Sequence, residues 1–110
     1  MASVEKAAHY DTVVYALTDA TKTTVHTVQS GFWEELLTVR IMASAGAAGN
    51  AIIHWYDFSA ATEYVVVYTT AVPFVTTFEP FHLDEGDLIK VTGAAAQNVF
   101  VTVLRGKRTN

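Results

Sequence analysis

Apolar residues in this chain recur mostly at every second position, in runs rich in Val, Ile, Thr, Tyr and Phe. Side chains of an extended strand alternate between two faces, and β-branched and aromatic residues suit a pleated surface, so this pattern reads as β-structure. It predicts strands over Asp11 to Leu17, Thr23 to Val28, Trp33 to Ala43, Ala51 to Phe58, Thr62 to Thr70, Val75 to Phe81, Asp87 to Thr92 and Asn98 to Arg105. Turn signals separate them: Ser30-Gly31, the Gly46 to Asn50 stretch, Ser59-Ala60-Ala61, Pro73, Glu85-Gly86 and Gly93 to Gln97. No helical segment is present to supply parallel crossovers. The expected fold is all-β: an antiparallel two-sheet β-sandwich, jelly-roll-like, of about eight strands. Residues 1–10 read as an N-terminal arm, 11–105 as the sandwich domain and 106–110 as a basic C-terminal tail.

Details of the pattern sharpen this picture. Gly31 and Gly86 are expected at positive φ, where a Cβ would clash. In the third strand Leu37, Val39 and Ile41 should share one face, and Thr38, Arg40 and Met42 the other. In the last strand Val99, Val101 and Val103 oppose Phe100, Thr102 and Leu104, so both faces are largely apolar and the strand should lie centrally or meet a partner. The runs YVVVY at Tyr64 to Tyr68 and IIHWY at Ile52 to Tyr56 are two-sided in the same way. Left as free edges such segments template new strands, which a closed assembly would prevent.

Composition adds the scale. A chain of 110 residues and 12.0 kDa builds one domain, burying about two-thirds of its unfolded surface. An apolar fraction of 51%, a mean hydropathy of +0.25 and only 16% charged residues leave little to cover the exterior, so some apolar surface is expected to face another chain. Seven basic against eleven acidic residues give a net charge of −4, the wrong field for nucleic acid. There are no cysteines, so stability must come from packing. Glu5, Lys6, His9 and Asp11 interrupt the place where a signal peptide needs an apolar run, and no run approaches the roughly 18 apolar residues of a membrane helix. Synthesis in a reducing cytoplasm and no membrane partner are expected.

Candidate chemistry is sparse. His9, His26, His54 and His82 match no metal-ligand spacing, and the paired histidines of a cupin strand are absent. Glu34 and Glu35 should point to opposite faces of a strand, and Asp84, Glu85 and Asp87 read as solvated turn residues rather than a calcium loop. Ser59 lies near His54 and Asp57 in sequence, without a nucleophile-elbow pattern around it. The expectation is therefore no enzyme, no catalytic residue, no cofactor and no metal. The candidate interface residues are Trp33, Trp55, Tyr56, Tyr64 and Tyr68, which could stack on a sugar or a partner protein, together with Arg105, Lys107 and Arg108, a basic end that could meet an acidic surface.

Three pieces, TVHTVQSG at 24 to 31, LLTVRIMASAGAAGN at 36 to 50 and HLDEGDLIKVTG at 82 to 93, follow one another in an order that resembles the small β-sandwich virion proteins of tailed bacteriophages. The last contains the L-x-x-G-D-x-[LI]-x-V hairpin often seen in such proteins. The chain departs from them at Gln29-Ser30-Gly31, where a proline commonly precedes the glycine. The resemblance covers about three-quarters of the chain. It implies a head decoration or tail accessory protein that stabilises the assembled particle, a homo-oligomer, and a major capsid or tail protein of the same virion as partner. A carbohydrate- or receptor-binding tail module is the alternative it leaves open.

Overall fold

A computed structural model describes residues 8–44 and 49–108. All eight expected strands are present: β1 (His9–Ala16), β2 (Thr23–Thr27), β3 (Phe32–Ala43), β4 (Asn50–Asp57), β5 (Thr62–Ala71), β6 (Phe74–Leu83), β7 (Leu88–Thr92) and β8 (Gln97–Lys107). They form two antiparallel four-stranded sheets, ordered β1-β8-β3-β6 and β2-β7-β4-β5. The pairs are nested around the β4–β5 hairpin: β4 with β5, β3 with β6, β2 with β7, β1 with β8. The chain is a long hairpin folded over on itself into a sandwich of two antiparallel sheets. Every connection other than the β4–β5 turn passes from one sheet to the other.

The core lies between the sheets. Leu36, Val39, Ile41, Leu83, Val99, Val101 and Val103 from one sheet meet Val25, Ala51, Ile53, Ile89 and Val91 from the other, with Leu17, Val28 and Val72 closing the ends. β8 is central, as its two-sided apolar pattern requires: Val99, Val101 and Val103 are inside, while Phe100, Thr102 and Leu104 are half-buried on the outer face. Gly31 and Gly86 both adopt φ near +89°, as expected.

The expected face of β3 holds at Val39 and Ile41 but not at Leu37. A bulge between Leu36 and Thr38 shifts the register against both β6 and β8, so Leu36 is fully buried and Leu37 half-buried. A bulge inserts one extra residue and reverses the inside–outside phase. The bulge thereby also carries Glu34 inward and Glu35 outward.

Strand boundaries shift by one or two residues, and the strand-forming region is longer at both ends. His9 and Tyr10, read as part of an arm, belong to β1, and β8 runs past Arg105 to Lys107. Met1 to Ala7 of the arm, Ala45 to Ala48 of the small-residue loop and the last two residues of the tail lie outside the described residues.

Candidate functional site

The outer face of the β1-β8-β3-β6 sheet is built from cross-strand ranks, because residues directly opposite in a ladder share a face. One rank is Val14, Phe100, Arg40 and Val75. The next is Thr12, Thr102, Thr38 and Thr77. A third is Tyr10, Leu104, Glu35 and His82. A threonine rank therefore crosses all four strands between a largely apolar rank and a mixed one, and the Thr12 and Thr102 hydroxyls lie 3.1 Å apart. Tyr10 is 72% exposed, Val14 56%, Val75 52% and Met42 41%. Arg40, Met42, Pro73, Phe74 and Val75 line an open cleft of about 260 Å³ at the β6 side of this face.

At one end of the same sheet a more polar cleft of about 290 Å³ is lined by Trp33, His82, Asp84, Lys107 and Arg108. The Trp33 and His82 rings stack with centroids 6.5 Å apart. Beneath the indole lies Gly106, where a Cβ would stand 2.3 Å from the ring, so glycine permits the indole to lie flat on β8. His82 Nδ1 is 2.8 Å from Glu35 and its Nε2 3.0 Å from Asp84. The hydrogen bond with Glu35 favours the imidazolium and raises the His82 pKa above its usual value, against a smaller opposing effect of burial.

The opposite sheet presents an outer face of another kind, carrying a charged network. Glu63 accepts from Lys22 and from Lys90 (3.0 Å), and Lys90 lies over the Tyr56 ring. The Lys22 hydrogen bond leads the lowering of the Glu63 pKa. His54 is buried beneath this network, 3.0 Å from the Thr92 hydroxyl; burial, then Lys22, lower its pKa.

Two carboxylates, Glu34 and Asp87, are buried among hydrogen-bond partners. Glu34, fully buried, lies 2.5 Å from His26 Nε2 and accepts from Arg105 Nε at 2.9 Å, while Arg105 also donates to Asp11 at 2.9 Å. This line joins β1, β8 and β3 to β2 across the sandwich. Asp87, expected as a solvated turn residue, is only 3% exposed. Its carboxylate accepts from Trp55 Nε1 (3.1 Å), Phe58 N (2.9 Å) and Asp84 N (3.1 Å), so the buried charge is itself satisfied by three donors. Asp84 and Glu85 are exposed, as expected.

The structure distributes the candidate interface residues rather than gathering them. Trp33 sits in the end cleft. Trp55 packs inward, edge-on to Phe81 of the facing sheet and stacked on Tyr64 at 5.2 Å. Tyr56 is half-buried under Lys90, whereas Tyr64 and Tyr68 are exposed on the β5 edge, Tyr68 at 79%. Arg105 is held within β8 by Asp11 and Glu34 and is not part of a solvated end. Lys107 ends β8, and Arg108 lies 3.6 Å from both Asp84 and Glu85. Ser59 bonds Asp57, and His54 bonds Thr92, so these three do not converge. Among the described residues no group of three or more His, Asp or Glu side chains is placed to hold a metal ion. No helix among them is long and apolar enough to cross a membrane.

Sequence reasoning missed the threonine rank and the Asp11–Arg105–Glu34–His26 line. Neither has a local signal, because their members come together only through pairing across the whole chain. Asp87 had one, in the Gly-Asp step of the hairpin pattern.

No known protein family matches the sequence, and no characterised protein does. Solved structures resemble it to differing degrees. A chain from Bacillus endospore appendages, described as a novel family of disulfide-linked pili, superposes with a TM-score of 0.51 at 15% identity, covering 96% of this chain and 93% of that one. A pentameric capsid protein isolated from metagenomic phage sequences gives a TM-score of 0.39 at 19% identity, over 87% of this chain and 61% of that one. A second structure described in the same terms gives 0.37 at 18% identity, over 87% and 62%. At 15% identity the likeness to the appendage chain concerns the fold alone.

Proposed function

We propose that this chain is a non-enzymatic structural protein of a bacteriophage virion, made in the host cytoplasm, that decorates the assembled capsid and cements neighbouring subunits. The observation that carries this reading is the outer face of the β1-β8-β3-β6 sheet. Tyr10, Val14, Met42 and Val75 stay exposed there, although the sandwich already holds a complete core of its own. A rigid sheet with exposed large apolar side chains on one side is suited to burial against another protein surface. The net charge of −4 disfavours nucleic acid as that surface. The likeness to a pilus chain is compatible with an assembly role, although this sequence has no cysteine with which to form linking disulfides.

Its mechanism is mass action. A protein that binds only the assembled lattice stabilises it, by about 2.7 kcal/mol when free protein is a hundredfold above its dissociation constant. Purified protein is expected to co-sediment with undecorated particles and to raise the temperature at which they release their contents. Failure on both counts, with capsids and tails of the same phage, excludes the reading.

A second reading, a carbohydrate- or receptor-binding module, draws on the end cleft, where a half-exposed indole stands beside His82, Asp84, Lys107 and Arg108. Stacking a sugar on Trp33 should change tryptophan emission, and Trp33→Phe should abolish the change, since Trp55 is partly buried against Phe81 and does not line this cleft. Emission unaffected by a glycan panel removes this alternative.

A further inference from the structure

The four sheet edges are not equally protected. Unpaired edges invite strand addition, and proteins blunt them with short strands, bulges, proline or lysine. β2 has five residues and a bulge between Thr24 and His26. β5 is irregular at two places along its pairing with β4. β6 is irregular opposite the Leu36–Thr38 bulge and carries Pro80, which lacks an N–H. β1 has none of these devices. Its eight residues, HYDTVVYA, pair with β8 without a register shift and include no proline and no lysine. The charge of Asp11 is already paired with Arg105 of the same sheet. Among the described residues nothing pairs with the far side of β1.

We infer that β1 pairs with β1 of a second copy of this chain, antiparallel about a two-fold axis at Thr12, joining two sheets into one of eight strands. This rests on reading the chain as an assembly subunit and names its partner at one edge.

Symmetry and charge select the register. Directly opposed residues share a face, so a two-fold axis perpendicular to the sheet must set one residue against its own copy. An axis at Asp11 places two carboxylates opposite each other. An axis at Val13 sets Tyr10 against Ala16. An axis at Thr12 opposes no like charges and leaves each Asp11 with its own Arg105. It sets Tyr10, 72% exposed, against Val14, 56% exposed, of the second copy, twice by symmetry. It also brings Thr12 against Thr12 of the second copy, so that the Thr77–Thr38–Thr102–Thr12 rank runs unbroken across both subunits. Aromatic with β-branched pairs and threonine pairs are favourable cross-strand neighbours. The joined sheet doubles the outer face offered to a particle.

The test uses the absence of native cysteine. Opposed residues have Cα atoms roughly 4.5–5.5 Å apart, within reach of a disulfide. Thr12→Cys should therefore cross-link to a covalent dimer under mild oxidation, whereas Thr77→Cys, on the opposite edge of the same sheet, should not. In light scattering the wild-type protein should be dimeric and Thr12→Lys monomeric with unchanged circular dichroism. An equimolar mixture of Thr12→Lys and Thr12→Glu should restore the dimer. As a measurement needing no variant, amide exchange in wild-type β1 should slow with increasing protein concentration. A monomeric wild type, concentration-independent exchange, or a Thr77→Cys variant that cross-links as readily as Thr12→Cys overturns the pairing. Particle co-sedimentation is scored separately: a dimer that ignores particles defeats the docking reading alone, and a monomer that binds them defeats the pairing alone.

Discussion

Gly86 sits at φ +89°, its N–H donates to the Val28 carbonyl, and a Cβ there would stand 2.6 Å from the Phe58 ring. Both the backbone and the neighbouring ring demand glycine, whereas Gly31, at the same φ, has open space around it. Gly86→Val is expected to cost about 1–3 kcal/mol from backbone strain alone, lowering the melting temperature by on the order of 5 °C or more. An unchanged Tm contradicts the assignment. Two histidines are shifted in opposite directions from the usual value near 6.5. His82 is raised, so it contributes stability that is fully present below pH 6.5 and lost as pH rises through its folded pKa. That gain is modest because the side chain is half exposed and screened. His54 is lowered, so charging it carries a penalty that is absent above pH 6.5 and grows as pH falls through that value. In an NMR titration the His82 midpoint should lie above 6.5 and that of His54 below; the reverse order refutes both environments. His82→Gln should lose stability relative to wild type at about pH 5.5 and approach it as pH rises.

At the scale of elements, the alternation of Val, Ile and Thr was sufficient to place eight strands, because a half-buried strand imposes period two on its own sequence. The phase of β3 before its bulge was not legible. Its EELLT segment offers two carboxylates followed by two leucines, and either phase buries one of each. The bulge chooses Leu36 and Glu34, and it can do so because β2 supplies His26 and β8 supplies Arg105 to receive the carboxylate. Removing one member of a buried charged group strands its partners. Glu34→Ala should therefore cost about 3–5 kcal/mol in urea unfolding, with Glu34→Gln costing less because it keeps hydrogen-bonding capacity. A loss below about 1 kcal/mol for the alanine variant would mean that β2 is held by packing alone.

For the whole molecule, the β1-β8-β3-β6 sheet exposes Tyr10, Val14, Met42 and Val75, while the other sheet carries the Glu63–Lys22–Lys90 network over His54, with Tyr64, Val65 and Tyr68 exposed along β5. Docking through the apolar face predicts that Met42→Lys with Val75→Lys abolishes co-sedimentation with particles. Because both side chains are exposed, stability should stay within about 0.5 kcal/mol per site. Binding that survives the double substitution excludes this part of the face. The candidate aromatics show the limit of reading composition. Trp33, Trp55 and Tyr68 were equivalent as letters, yet one lies over Gly106, one packs against Phe81, and one is exposed. Only the pairing of strands distant in sequence separates them.

The periodicity of the chain by itself determined the all-β class, the eight strands, the central character of β8 and the glycine at 86, since each is a local demand of pleat or turn on its own residues. The tertiary structure alone decided the bulge that turns Leu36 and Glu34 of β3 inward, the burial of Asp87, the threonine rank and the edge position of β1. Those depend on which strands become neighbours, and the nested pairing sets residues as far apart as Thr12 and Thr102 side by side.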